Sequence, residues 1–127
     1  MKQLFVSYKM ALALDGKGFN EPCVARYSRG QFEMNRLGDW YRHNSGEISQ
    51  GYVSAPTIQQ VLDWLDSKEI FLQPKLVEQF GAEWGYELTY ITKEGSKCNT
   101  DEDQSYSNRT EATLAGIEFI LNSENIL

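Results

Sequence analysis

Residues 54–74 read SAPTIQQVLDWLDSKEIFLQP, and they constrain the fold more than any other stretch of the chain. Apolar side chains recur every three or four positions, which is the spacing of one helical face. The stripe consists of Ile58, Val61, Leu62, Trp64 and Leu65. A strand is expected to begin at Ile70, as soon as the helix ends. The chain therefore combines helices and strands, and this helix is expected to pack its stripe against a sheet.

The ends of this helix and strand carry capping and breaking signals. Ser54 or Ala55 is the expected N-cap, and Pro56 lies in the first helical turn, where its missing N–H costs nothing. Pro74 lies inside the strand that follows, and proline cannot donate a hydrogen bond to a β-ladder. The strand is therefore expected at a sheet edge or at a bulge.

The same helix is a poor candidate for reading DNA. A helix-turn-helix needs a second helix after a tight turn, and its recognition helix presents hydrogen-bond donors to the groove. Here a strand follows, and the polar face carries Asp63 and Asp66, which phosphate would repel. The stretch is expected to build the core.

The N-terminal part predicts one helix and three short strands. A helix is expected from Ser7 to Lys17, with Ser7 as its N-cap and with Gly18 and Phe19 in a Schellman arrangement at its end. Residues 23–28, CVARYS, read as a strand, and QFEM and GYVS read as two further short strands. Alternate residues of the first strand share one face: Cys23, Ala25 and Tyr27.

The clearest strand is WGYELTYIT, residues 84–92. Its alternate residues share one face: Trp84, Tyr86, Leu88 and Tyr90. We expect this strand to pair with residues 70–79 through a turn near Gly81, and we expect Trp84 to lie in the core. Residues 93–108 are polar and acidic, and they are expected to form a loop.

The last helix is expected to start near Ser107 or Asn108 and to run to about Leu121. Small residues allow it to approach a neighbouring element closely: Ala112, Ala115 and Gly116. The helix is therefore expected to be sandwiched between other elements rather than to lie on the surface.

The elements follow in the order α-β-(ββ)-α-β-β-α. Hairpins with one apolar face predict the α+β class, with a mainly antiparallel sheet and about three helices packed on it. The 127 residues are expected to form a single domain, residues 1–127. A chain of this length buries about two thirds of its unfolded surface.

Several kinds of site lack the residues that they need. One histidine and two cysteines, Cys23 and Cys98, cannot supply a four-ligand zinc site or a disulfide framework. The chain has no phosphate-binding loop and no dinucleotide glycine fingerprint, and its acidic run lacks the spacing of a calcium loop. We therefore predict no metal and no cofactor.

No apolar run approaches the roughly 20 residues of a membrane helix. The first residues, MKQLFVSYKMALAL, have only a short apolar run and lack the pattern of a signal peptide. The expected location is the cytoplasm, with reduced thiols and without a membrane.

Three stretches carry a resemblance: GFNEPC after the first helix, APTIQQVLDWL at the second, and RTEATLAGIEFIL at the third. Together they resemble a group of small uncharacterised proteins of bacterial genomes, phages and other mobile elements. The matches span most of the chain at similar spacing. The resemblance implies a shared fold and a genomic setting, and it implies no catalytic residue.

The segment LGDWYRHNSGE, residues 37–47, has the composition of a contact loop. Large aromatic side chains and arginine are enriched at binding hot spots, and this segment places four candidates in a row: Trp40, Tyr41, Arg42 and His43. The alternative is that Trp40 anchors the loop in the core while His43 is solvated. His43 with Asp39, Glu47 or nearby serines does not define a catalytic triad, because the fold assembles triads from distant positions.

A second hypothesis starts from the uneven distribution of charge. Residues 1–45 carry seven basic and four acidic groups, although the whole chain has a net charge of −6. Arg26, Arg29 and Arg36 are candidates for one basic face, which would suit a nucleic-acid-associated accessory protein. Local neutralisation of the charges between the two parts of the chain is the alternative.

These observations favour a non-enzymatic protein-interaction or accessory module of the phage or mobile-element type. Its expected partner is another protein or a second copy of the chain. Binding to duplex DNA is not expected, because the sequence pI is near 4.8.

Overall fold

The computed structural model describes residues 4–34, 51–78, 83–92, 94–100, 105–124 and 126–127. Within this part of the chain, three helices and six strands follow one another, and their bounds are α1 Tyr8–Gly16, β1 Ala25–Ser28, β2 Gln31–Met34, β3 Tyr52–Ser54, α2 Ile58–Ser67, β4 Ile70–Glu78, β5 Glu83–Thr92, β6 Gly95–Thr100 and α3 Arg109–Asn122. The predicted α+β class is confirmed, and the predicted order agrees with the observed one apart from one additional strand.

Two compact units divide the chain, Met1–Val61 and Leu62–Leu127, and the boundary falls within α2. Each unit contains one three-stranded antiparallel sheet, with strand order β2-β1-β3 in the first and β4-β5-β6 in the second. The strands thus form two sheets where the sequence suggested one. The grouping of all 127 residues into a single domain stays a prediction.

The first helix begins and ends as the sequence predicts. Ser7 is the N-cap, and its hydroxyl accepts a hydrogen bond from the Met10 amide at 3.2 Å. At the other end, Gly18 has φ 92°, and the Phe19 amide donates to the Leu14 carbonyl at 3.0 Å. This is the Schellman motif, and its hydrophobic contact is fixed because both Phe19 and Leu14 are buried.

The sheet of the first unit is built on a tight hairpin. β1 and β2 are joined by Arg29 and Gly30, whose φ angles of 51° and 84° fit the two-residue turn that matches strand twist. The residues predicted to share a face are all buried: Cys23, Ala25 and Tyr27. The Tyr27 hydroxyl donates to the Val6 carbonyl at 2.6 Å, and burial raises the pKa of this phenol.

The start of α2 differs from the expectation. Neither Ser54 nor Ala55 is its N-cap, because Ser54 ends β3 and the helix begins at Ile58. The side chains and amides of Thr57 and Gln60 bond reciprocally, since each amide donates to the other side chain at 3.0 Å. This capping box stabilises the start of the helix, and Pro56 precedes it.

The second unit packs α3 across β4 and β5. A Cβ on Gly116 would lie 2.5 Å from Leu72 Cδ1 and 3.1 Å from Tyr86 Cγ, so the absence of a side chain allows this close approach. The predicted close packing is confirmed. The helix is not sandwiched, however, because Glu111 and Glu118 are exposed on the side away from Gly116.

The predicted pairing of β4 with β5 is confirmed, with Leu72 opposite Leu88, whereas the predicted turn near Gly81 lies outside the described residues. β4 is an edge strand with an irregularity between Leu76 and Glu78, which agrees with the placement of Pro74. The loop predicted for residues 93–108 is wrong in part, because β6 pairs with β5 from Gly95 to Thr100. Backbone pairing forms this strand, although its sequence does not alternate polar and apolar residues.

Candidate functional site

Most of the predicted contact residues lie outside the described residues. These are Trp40, Tyr41, Arg42 and His43 of the loop, together with Arg36 of the basic face. The contact loop at residues 37–47 therefore stays a prediction.

Arg26 is held by neighbours on its own sheet. Its Nε lies 2.6 Å from Glu33 Oε1, and Arg26 and Glu33 are cross-strand partners of β1 and β2. Its guanidinium carbon also lies 4.1 Å from the ring centroid of Tyr52. Because the carboxylate offsets its charge, Arg26 contributes little to a basic face.

Arg29 is exposed in the hairpin turn, where its amide donates to the Gly51 carbonyl at 2.7 Å. Its side chain runs past Gly51, since a Cβ there would lie 3.0 Å from Arg29 Cγ. Arg29 is therefore a turn residue with an exposed cation, in a different setting from the paired Arg26.

Cys23 does not have the environment of a nucleophile. Burial, and to a smaller extent the charge of Glu21, raise the pKa of its thiol to about 12, against a smaller lowering effect of the Ser54 side chain. Only the thiolate is reactive, and a thiol with this pKa is protonated at neutral pH. In the described part of the chain, no group of three or more His, Cys, Asp or Glu side chains is arranged to hold a metal ion.

The strongest candidate surface lies at one end of the second sheet. Trp84 in β5 is opposite Leu76 of β4 on one side and Tyr106 on the other. The Trp84 and Tyr106 backbones exchange two hydrogen bonds, of 2.8 and 2.7 Å. Directly opposed residues of antiparallel strands point to the same face, so the three side chains form one row.

Arg109 completes this row from α3. Its guanidinium carbon lies 4.7 Å from the centroid of the Trp84 ring, within the range of a cation–π contact. The first turn of α3 is fixed by Asn108, which accepts from the Glu111 amide at 2.8 Å, and by Glu111, which accepts from the Ser107 hydroxyl at 2.7 Å. These caps hold the backbone of Arg109 beside the ring.

We call this set the Trp84 surface, and it consists of Leu76, Trp84, Tyr106 and Arg109. Leu76 is 47% exposed, Trp84 and Tyr106 are half-buried, and Arg109 is exposed. The expectation that Trp84 lies in the core is therefore wrong. The surface offers an indole ring, a phenol, an aliphatic side chain and a cation, and tryptophan, tyrosine and arginine are enriched at protein contact sites.

Sequence patterns did not reveal this surface because its members are distant in the chain. Strand pairing and the start of α3 bring positions 76, 84, 106 and 109 together. One local signal was present: Arg109 occupies the first turn of a helix, where the macrodipole disfavours a cation. An arginine at such a position indicates that it has a role outside the helix.

No family model, no curated protein and no solved structure matches the chain. Among the helices of the described residues, none has the length and apolar character that crossing a membrane requires.

Proposed function

We propose that this protein is a non-enzymatic interaction module that binds another protein through the Trp84 surface. The observation that carries the proposal is the half-buried Trp84 ring, with Arg109 stacked on it and exposed Leu76 beside it. Tryptophan, tyrosine and arginine dominate binding energies when a partner removes them from water. A structural role alone does not require a tryptophan and an exposed leucine in one row at a sheet end.

The proposal that the protein is not an enzyme rests on its residue types. The chain has one histidine, and the Cys23 thiol is protonated at neutral pH. The proposal that it is an accessory protein of a phage or mobile element rests on the resemblance of the stretches GFNEPC, APTIQQVLDWL and RTEATLAGIEFIL. A protein partner is therefore best sought in cells that carry such an element.

The test is a comparison of variants in extracts of the native host. Wild type, Trp84→Leu and Phe71→Ser are immobilised at equal amounts, and the retained proteins are quantified by mass spectrometry. Phe71 is the matched control because it is 46% exposed on the other face of the same sheet. The proposal expects a protein that wild type and Phe71→Ser retain and that Trp84→Leu loses. If only Phe71→Ser loses the partner, the contact lies on the opposite face of the sheet and the proposal is wrong.

The alternative, a nucleic-acid-associated accessory protein, has less support. It needs unpaired cations on one face, whereas Arg26 is bonded to Glu33. It predicts duplex or single-stranded binding that falls steeply with salt, and filter binding at two salt concentrations measures this. Tight binding at about 150 mM salt, weakened by Arg29→Gln, would favour this alternative over the interaction module.

A further inference from the structure

The charge of the chain is divided unequally between the two compact units. Residues 62–127 carry five basic and thirteen acidic groups, a net charge of −8, and residues 1–61 carry seven and five, a net charge of +2. The two sum to the −6 of the chain. The Trp84 surface lies in the acidic unit, so any partner approaches it through a negative field.

The ring of Trp84 already accepts one guanidinium. Arg109 lies over its face at 4.7 Å, and among the described residues Arg109 has no carboxylate partner that would hold it there. Arg109 is also exposed, so its side chain can move into water at little cost. The contact is weak, since exposed cation–π pairs contribute about 0.5–1 kcal/mol.

Glu83, which precedes Trp84 in β5, is an exposed acid beside the ring in sequence. Glu111 and Glu118 lie on the side of α3 away from Arg109, so they act on a partner only through the net charge of the unit. A carboxylate of a partner would gain the single cation of Arg109 and meet a unit of net charge −8. A cation of a partner would contact the face of the Trp84 ring and would also be attracted by the negative charge of the unit. A basic segment is therefore the better complement.

We infer that the Trp84 surface binds a basic segment of its protein partner, with an arginine or lysine side chain that replaces Arg109 on the Trp84 ring. This inference rests on the proposed function and names the chemistry of the partner. Arg109 occupies the ring in the unbound protein and competes with the incoming cation. Removal of Arg109 therefore strengthens binding, which is the opposite of what an acidic partner would show.

The test uses defined peptides, with binding followed by fluorescence anisotropy at physiological salt. The probes are a labelled peptide of alternating arginine and glycine and one of equal length with glutamate in place of arginine. The arginine peptide should bind wild type, and Trp84→Leu should weaken it by about 3- to 30-fold, which corresponds to a lost cation–π contact. Arg109→Gln should strengthen it.

Arg109→Gln also makes the protein more acidic by one charge, so a matched control is required. Lys75→Gln changes the charge equally, and Lys75 lies on the other face of the sheet opposite Gly85. A gain in affinity for Arg109→Gln that exceeds the gain for Lys75→Gln supports competition at the ring. Equal gains would show that only the distant field acts, and they would overturn the replacement of Arg109.

The remaining outcomes separate this inference from the proposed function. If the glutamate peptide binds wild type and Arg109→Gln abolishes this binding, the partner segment is acidic and the inference is wrong. If neither peptide binds while Trp84→Leu still loses the host partner, the Trp84 surface remains the proposed contact site and the inference of a basic segment is wrong. If the arginine peptide binds Trp84→Leu as tightly as wild type, the ring is not its site.

Discussion

Two groups of aromatic residues, one in each unit, are used in different ways. In the first unit, Phe5, Tyr27 and Phe32 pack ring against ring, with centroids 5.2 and 5.6 Å apart, and the Tyr27 hydroxyl has a buried acceptor. In the second unit, Trp84 is half-buried and has the exposed cation of Arg109 over its ring. Aromatic rings whose faces and polar atoms are satisfied internally stabilise the fold. Rings that meet water and a movable cation are available for a partner.

The largest loss of stability is expected for a substitution of Tyr27 in the first unit. Tyr27→Ala removes a buried ring and leaves the Val6 carbonyl without its donor, so it should lower the free energy of unfolding by about 3–5 kcal/mol. Tyr27→Phe keeps the ring and should cost about 1–2 kcal/mol. Urea unfolding measures both. A Tyr27→Ala variant as stable as wild type would show that the aromatic packing of the first unit is not a core.

Much of the fold was readable from the sequence where the signals were local. Ser7, Gly18 and Phe19 predicted both ends of α1, because capping depends on residues within one turn. Asn108 was likewise readable as the cap of α3. Pro56 predicts an N-cap at Ser54 or Ala55, which places the start of α2 too early. The reciprocal hydrogen bonds of Thr57 with Gln60 form the cap instead.

The next prediction concerns the close approach of α3 to its sheet. Glycine to alanine within a helix usually stabilises by about 1 kcal/mol. At Gly116 the added methyl would meet Leu72 and Tyr86, so Gly116→Ala should instead destabilise by about 1–3 kcal/mol.

Gly16 provides the matched control, because it lies in α1 and a Cβ there meets nothing within 4 Å. Gly16→Ala should stabilise by about 0.5–1 kcal/mol in the same unfolding assay. If Gly116→Ala stabilises the protein as Gly16→Ala does, α3 is not packed against β4 and β5 as closely as described.

A third prediction follows from the buried thiol of Cys23. Its folded pKa of about 12 exceeds the unfolded value of 9.0, so above pH 9 the unfolded chain loses a proton that the folded chain keeps. Stability from this group is fully present below pH 9 and is lost as the pH rises toward 12, by at most about 1.4 kcal/mol per pH unit.

The comparison of wild type with Cys23→Ala isolates this contribution from other groups that titrate in the same range. The variant should lose less stability between pH 9 and pH 11 than wild type. Parallel pH profiles of the two proteins would contradict the burial of this thiol.

What the sequence did not reveal depends on contacts between distant positions. The sequence of Gly95–Thr100 predicts a loop because it is polar and does not alternate, and only the pairing with β5 makes this segment a strand. The Trp84 surface was missed for a related reason, since Trp84 was counted with the buried face of Tyr86 and Leu88. Whether a side chain at the end of such a face is covered depends on where the helix above it begins, and α3 begins at Arg109.

The smallest stability effect is expected at the Trp84 surface. Arg109→Ala removes an exposed cation and should leave the free energy of unfolding within about 0.5 kcal/mol of wild type. Trp84→Leu keeps an apolar side chain in a half-buried position and should cost about 1 kcal/mol. Thermal and urea unfolding of both variants measures this. A loss for Trp84→Leu as large as that for Tyr27→Ala would remove the distinction between the two groups of aromatic residues.

The most direct test of the Trp84 surface is the affinity of Trp84→Leu for the protein partner recovered from the host, determined by calorimetry beside the free energy of unfolding of the variant. We expect a loss of affinity of at least about tenfold, which is 1.4 kcal/mol of binding energy, in a protein that remains folded at the assay temperature. An affinity equal to that of wild type would contradict the assignment of the Trp84 surface as the contact site.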